Sequence, residues 1–158
     1  MKKFLAVLLA IATLSICAVP VAAVQREENI IAVFEDGSYL VEEIEIITSE
    51  ISPWVTTTAK SGSRTVRRYN GDDVEQWFYM LYVNFMYREG ISSLVQNCWD
   101  DYEIYDSSWS IVSHSTDIDQ PAAYGSFEFK KTFLFVTIAT DIDTIGLTCD
   151  AYGNITRC

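Results

Sequence analysis

His114 is the only histidine in the 158-residue chain, and it stands in a polar run, Ser113-His114-Ser115-Thr116. A Ser–His–Asp triad would have to use it. No nucleophile motif accompanies it, so the expectation is a surface histidine. Carboxylates are plentiful, at Glu42/Glu43/Glu45, Asp72/Asp73, Asp100/Asp101, Asp117/Asp119 and Asp141/Asp143. Two carboxyls are what glycoside cleavage requires, yet among 22 acids pairs arise by abundance alone. The stretch Asp141-Ile-Asp143-Thr-Ile-Gly146 begins like a calcium-binding turn. Ile145 stands at its fifth position, where an oxygen ligand is needed, and no Glu follows at the twelfth. The sequence therefore nominates no catalytic residue, no metal site and no cofactor.

Binding chemistry is better represented. Phe78 and Tyr82 share one face of a long alternating run, and Trp99 is a further candidate for the same aromatic patch. Aromatic platforms beside carboxylates hold sugars or protein partners. The competing reading is that both faces of this central run are covered, one by core and the other by the N-terminal hairpin. Arg64, Arg67 and Arg68 form the only basic cluster; in a strand Arg64 and Arg68 share a face, and salt bridges to acidic neighbouring strands are expected of all three. Asn154-Ile-Thr156 matches the N-glycosylation pattern, which means little if the source is bacterial.

The N-terminus sets the compartment. Met1-Lys-Lys3 is a basic start, residues 4–17 are apolar or small, and Val21 and Ala23 provide a small-residue exit. Residues 1–23 read as a secretory signal peptide and 24–158 as one domain, with Val24 the mature N-terminus. A membrane anchor needs about 20 apolar residues without such an exit. A lipoprotein reading through Cys17 meets the large Ile16 in the preceding position. The mature protein is expected to be extracellular, released or held by noncovalent contacts. Its formal charge of −11 becomes −13 once Lys2 and Lys3 leave, so nucleic acid is an unlikely partner.

Export leaves Cys98, Cys149 and Cys158, an odd number, implying one disulfide and one spare thiol. Bridging Cys98 to Cys149 closes a loop of about 50 residues, worth about 4 kcal/mol, against under about 3 kcal/mol for the short Cys149–Cys158 loop. Cys149 also ends the alternation Ile145, Leu147, Cys149, facing a core. A Cys98–Cys149 bridge is thus expected, with Cys158 available for a disulfide-linked dimer.

These groups need elements to carry them, and strand patterns dominate. Asp36-Gly37 separates 30–34 from 39–47, Ser61-Gly62 separates 54–59 from 63–69, and Asn70-Gly-Asp-Asp73 precedes the longest run, 75–88. Glu89-Gly90 leads to 93–105, followed by 109–114, 123–131, 133–140, 144–149 and a short end at 155–156. A helix over 73–87 is the main rival for the longest run. Alternation of bulky residues on both faces and the high β propensity of Tyr79, Tyr82, Val83 and Tyr87 favour a strand. About nine short strands with one inter-strand disulfide predict an all-β fold, an antiparallel β-sandwich of immunoglobulin-like general architecture.

Several phrases together resemble a known group. They are Asp36-Gly-Ser-Tyr39, Lys60-Ser-Gly-Ser-Arg-Thr65, Trp77 leading to Phe85-Met-Tyr87, Ile104-Tyr-Asp-Ser-Ser-Trp109-Ser-Ile-Val-Ser113, Phe129-Lys-Lys-Thr-Phe133 and Leu147-Thr-Cys-Asp-Ala-Tyr-Gly-Asn154. The chain is similar to small exported proteins of Gram-positive anaerobic bacteria that have no assigned activity. The resemblance implies a β-sandwich and a cysteine pair matching Cys98 and Cys149, while Glu89-Gly90 and the terminal Cys158 depart from it. The expectation is a secreted, noncatalytic protein that binds a protein or glycan at the cell exterior. Its alternative is an extracellular carboxylate-dependent glycoside hydrolase.

Overall fold

A computed structural model describes residues 23–48 and 57–158. The signal-peptide reading and the first half of the expected strand at 54–59 fall on residues outside that range. Among the described residues, nine strands form two antiparallel sheets. The first contains β1 (Ala23–Val33), β2 (Tyr39–Thr48), β3 (Thr58–Tyr69), β4 (Glu75–Arg88) and β5 (Ser92–Ile104) in that order. The second contains β6 (Trp109–Asp119), β7 (Ala122–Phe133), β8 (Val136–Cys149) and β9 (Ile155–Arg157), again in chain order. Each sheet is a meander, and the chain changes sheet once, between β5 and β6. The two-sheet architecture expected from the sequence is present, with neighbour-to-neighbour connections throughout.

The alternation in β4 explains why the sheets meet. Trp77, Tyr79, Leu81, Val83 and Phe85 are completely buried and face Phe127 and Phe129 of β7 and Ile145 and Leu147 of β8. Trp77 stacks on Phe129 at 4.3 Å between centroids and meets Phe127 edge-on at 5.7 Å. A helix would have turned these five side chains to different directions, so the strand is the form that buries them all. Gly125 lets the two sheets approach: a Cβ there would lie 2.5 Å from the Tyr79 hydroxyl.

Charged groups close the ends of this core. Glu42 is buried and paired with Arg64 at 2.5 Å and with Arg157 at 3.1 Å. Arg68 is also buried, bound to Asp141 at 3.1 Å and to the Ser38 hydroxyl at 2.6 Å, with its guanidinium 3.8 Å from the Phe34 ring centroid. Burial raises the Asp141 carboxyl above its ordinary range, and Arg68 opposes that shift. Between the sheets' edges, the Gln120 side chain acts as a strand partner: its Oε1 accepts from the Val95 amide at 2.7 Å and its Nε2 donates to the Val95 carbonyl at 2.9 Å.

The disulfide expectation is overturned. Cys98, Cys149 and Cys158 are all free thiols. The Ser93 hydroxyl donates to the Cys149 carbonyl, which places Cys149 beside the start of β5. Cys98 lies five residues further along that strand, about 17 Å at the usual rise. No bridge spans that distance. Cys158 sits elsewhere again, its amide bonded to the Gly146 carbonyl at 3.2 Å.

Three local expectations also change. Ser61-Gly62 lies inside β3 rather than in a turn, and Gly62 gives room to Ile155 and Leu147 from the opposite sheet. Asp141 and Asp143 lie inside the continuous strand β8, so no calcium-type turn exists there. The break expected near Thr132 occurs instead at Leu134-Phe135, between β7 and β8.

Candidate functional site

The outer face of the five-stranded sheet carries the aromatic patch. Register alone lays out its rows. Arg26, Glu45, Ser63, Tyr82 and Trp99 stand side by side across all five strands. On one side of this row lies Glu28-Glu43-Thr65-Met80-Asp101, and on the other Val24-Ile47-Ser61-Asn84-Asn97. Strand β3 contributes only Ser61, Ser63 and Thr65 to the middle of these rows, between larger residues of β2 and β4. The face is consequently troughed along β3, enclosing about 500 Å³. That volume is in the range of small-molecule sites.

One wall is aromatic. Tyr82 and Trp99 stack with centroids 5.3 Å apart and planes 14° from parallel, and Trp99 remains 45% exposed. The opposite wall is charged. Glu43 accepts from Arg26 at 2.7 Å and lies 3.8 Å from Arg67, whose other nitrogen binds Glu75 at 2.7 Å. Glu45 and Ile47 continue this wall. On the floor, the Ser61 hydroxyl donates to Asn84 Oδ1 at 2.7 Å. The trough thus joins a flat apolar surface to hydroxyls, an amide, guanidiniums and carboxylates.

Of the three aromatic residues expected at a site, Tyr82 and Trp99 come together and Phe78 does not. Phe78 is on the same face but four residues along β4, where the Arg67 guanidinium lies 5.2 Å from its ring centroid and Tyr105 6.2 Å away. Covering of this face by the N-terminal hairpin does not occur at the trough, because β1 and β2 extend the sheet sideways. Sequence reasoning missed Arg26, Glu43, Glu45, Ser61, Ser63 and Asn84 as lining residues. The three short polar residues at alternate positions 61, 63 and 65, opposite bulky ones, are the signal that could have found them.

The basic cluster behaves as expected, with Arg64 and Arg68 on the core side, Arg67 on the outer face, and each paired with acids. His114 is exposed, with its Nδ1 2.8 Å from Asp100 Oδ2 and its ring 5.0 Å from Tyr102. The same Asp100 oxygen accepts from the Tyr79 hydroxyl at 3.0 Å. Burial first, and then the Asp100 carboxylate, push the Tyr79 phenol above its ordinary range, so it stays a donor. This bridge ties β4 and β5 to β6. Among the described residues, no group of three or more His, Cys, Asp or Glu side chains is placed to hold a metal ion, and no helix is long and apolar enough to cross a membrane.

No protein-family model, curated protein or solved structure matches the chain. The trough and its rows therefore stand as the evidence from which function is argued.

Proposed function

We propose that this is an exported, noncatalytic β-sandwich module that binds a glycan in the trough along β3. The observation that carries the reading is the Tyr82–Trp99 stack forming one wall of a polar-floored trough. A pyranose ring has an apolar face of C–H groups and an equator of hydroxyls. Trp99 offers the flat partner for the first, while Ser63, Asn84 and the Arg26–Glu43 pair offer donors and acceptors for the second. Signal-like residues 1–23 and the resemblance to exported proteins of Gram-positive anaerobes support an extracellular setting.

One observation favours hydrolysis instead. Glu43 and Glu45 both line the trough, two residues apart on one strand, so their backbones are about 7 Å apart. Carboxyl pairs of glycosidases are separated by about 5–9.5 Å. Against that role, the Glu43 carboxylate is held by Arg26 and faces Arg67, which favour its ionised form over the protonated acid that cleavage needs.

Screening the exported protein on an array of purified glycans, followed by product analysis of every glycan retained, separates the two. Retention without turnover is expected. Turnover that Glu45→Gln abolishes would establish the hydrolase, and retention of no glycan would remove both readings.

A further inference from the structure

The β7–β8 hairpin ends in side chains that the fold does not use. Residues 132–140, Thr-Phe-Leu-Phe-Val-Thr-Ile-Ala-Thr, contain no charge, glycine or proline. Phe133 is 65% exposed, Leu134 75%, Phe135 fully, Val136 62% and Ile138 58%. The turn itself is Leu134-Phe135, with φ of 47° and 68°. Two-residue hairpin turns of this hand are normally built from Asn and Gly, because other side chains are strained at positive φ. Here two of the bulkiest apolar residues occupy both positions, and neither is packed. Strain kept at an exposed tip points to a use for the side chains that cause it.

Register ranks the groups by height along the hairpin. Lys130 pairs with Thr140 and Lys131 with Ala139; Thr132 then pairs with Thr137, and Phe133 with Val136 below the Leu134-Phe135 apex. The last tie to the body is the Thr132 amide, which donates to the Ser108 carbonyl at 2.9 Å. Beyond that tie the chain runs two more residues to the apex, Phe133 at the end of β7 and Leu134 in the turn, about 7 Å. From apex to base the order is apolar, hydroxyl, cationic. Lys130 and Lys131 each have an acid nearby, Glu128 at 2.8 Å and Asp106 at 3.9 Å, but no acid lies above them.

We propose that this tip inserts into the surface of a lipid bilayer. A convex projection suits a yielding medium, and about 7 Å matches the depth of about 5–10 Å at which interfacial segments bury their apolar face. The layers match in order as well. Acyl chains would take Phe133, Leu134, Phe135 and Val136, glycerol esters would meet Thr132 and Thr137, and headgroup phosphates would meet the lysines. The net charge of −11 opposes approach to an anionic surface, so the surface committed to is zwitterionic. The inference concerns the opposite sheet from the glycan trough and stands without it.

The test is flotation of the exported chain, beginning at Val24, with phosphatidylcholine vesicles, comparing it with the double variant Leu134→Asn/Phe135→Gly. That variant supplies the residues the turn prefers, so its thermal stability should match or exceed that of the parent. Its vesicle-bound fraction should fall at least tenfold, and the parent's binding should survive raised salt. In a Phe135→Trp variant, lipids brominated in the upper acyl chain should quench emission from the tip. Absence of parent binding, or equal binding by the double variant, would overturn the proposal. Parent dimers that the double variant abolishes, with no vesicle binding by either, would also overturn it and assign the tip to self-association.

Discussion

Replacing Gly125 by alanine should break the contact that lets the two sheets close. The new Cβ would lie 2.5 Å from the Tyr79 hydroxyl and 3.1 and 3.2 Å from two of its ring carbons. Ordinary contact requires the phenol to retreat by about 1 Å. Tyr79 is fully buried, so the retreat displaces its neighbours and pulls the hydroxyl from Asp100, 3.0 Å away. Overpacking of a core costs about 1–3 kcal/mol, and loss of a hydrogen bond to a charged group about 1.5–3 kcal/mol. A total near 4 kcal/mol is expected. Tyr79→Phe removes the hydroxyl and should cost about 2 kcal/mol alone. In the double variant the closest clash has gone and the lost hydrogen bond is shared, so its cost should be close to that of Tyr79→Phe. Urea unfolding at pH 7 of the parent, both single variants and the double variant yields the coupling energy, expected to be about 4 kcal/mol in magnitude. A cost for Gly125→Ala below about 0.5 kcal/mol, or simple additivity, would refute the reasoning.

Gln120→Ala leaves the Val95 amide and carbonyl without their partner and should cost about 1–3 kcal/mol in the same unfolding assay. Acid should weaken the fold as pH falls below the ordinary aspartate value of 3.8. Hydrogen bonds from the Ser38 hydroxyl and amide hold Asp36 below it, and those from the Asn154 side chain and amide do the same for Asp150. At Asp106 burial raises the carboxyl, but the Ser108 amide and hydroxyl outweigh it. Native pKa values below the unfolded ones mean stability that is present above pH 3.8 and lost through those lower values, which thermal melts from pH 5 to 2 would show. Cys149, whose thiol burial pushes up to about 11, should resist a thiol reagent at pH 8 in the native state, while exposed Cys158 reacts at once. After unfolding without reductant, a chain beginning at Val24 should titrate three thiols; a single thiol would restore a disulfide.

Hairpin turns rich in Asp, Asn and Gly were legible because their φ requirements select residue types, and Gly37 and Gly90 do adopt positive φ. The strand at 75–88 was legible because bulky residues alternate on both of its faces and Tyr79, Tyr82, Val83 and Tyr87 have high β propensity. Ser61-Gly62 misled for the reason that Gly62 serves a close approach between sheets, a tertiary demand that local sequence does not display. Leu134-Phe135 was invisible as a turn, since neither residue favours the conformation it adopts. The disulfide expectation rested on loop entropy and on Cys149 facing the core. Both hold equally well when the partner thiol is far along β5, because neither specifies distance. At the trough, the aromatic wall could be read from bulk and alternation, whereas the charged wall depends on the β1–β2–β3 register.

The central claim, that the trough along β3 takes a glycan against Trp99, is tested most directly by titrating the array-selected glycan into the parent and a Trp99→Ala variant by calorimetry. Trp99 is exposed and its side chain lies on the outer face, so the variant should keep the parent's unfolding midpoint within experimental error. Removing a central aromatic anchor costs about 2 kcal/mol or more, about a 30-fold rise in Kd. That loss of affinity, with folding unchanged, is the predicted result; an unchanged Kd in Trp99→Ala would contradict the account.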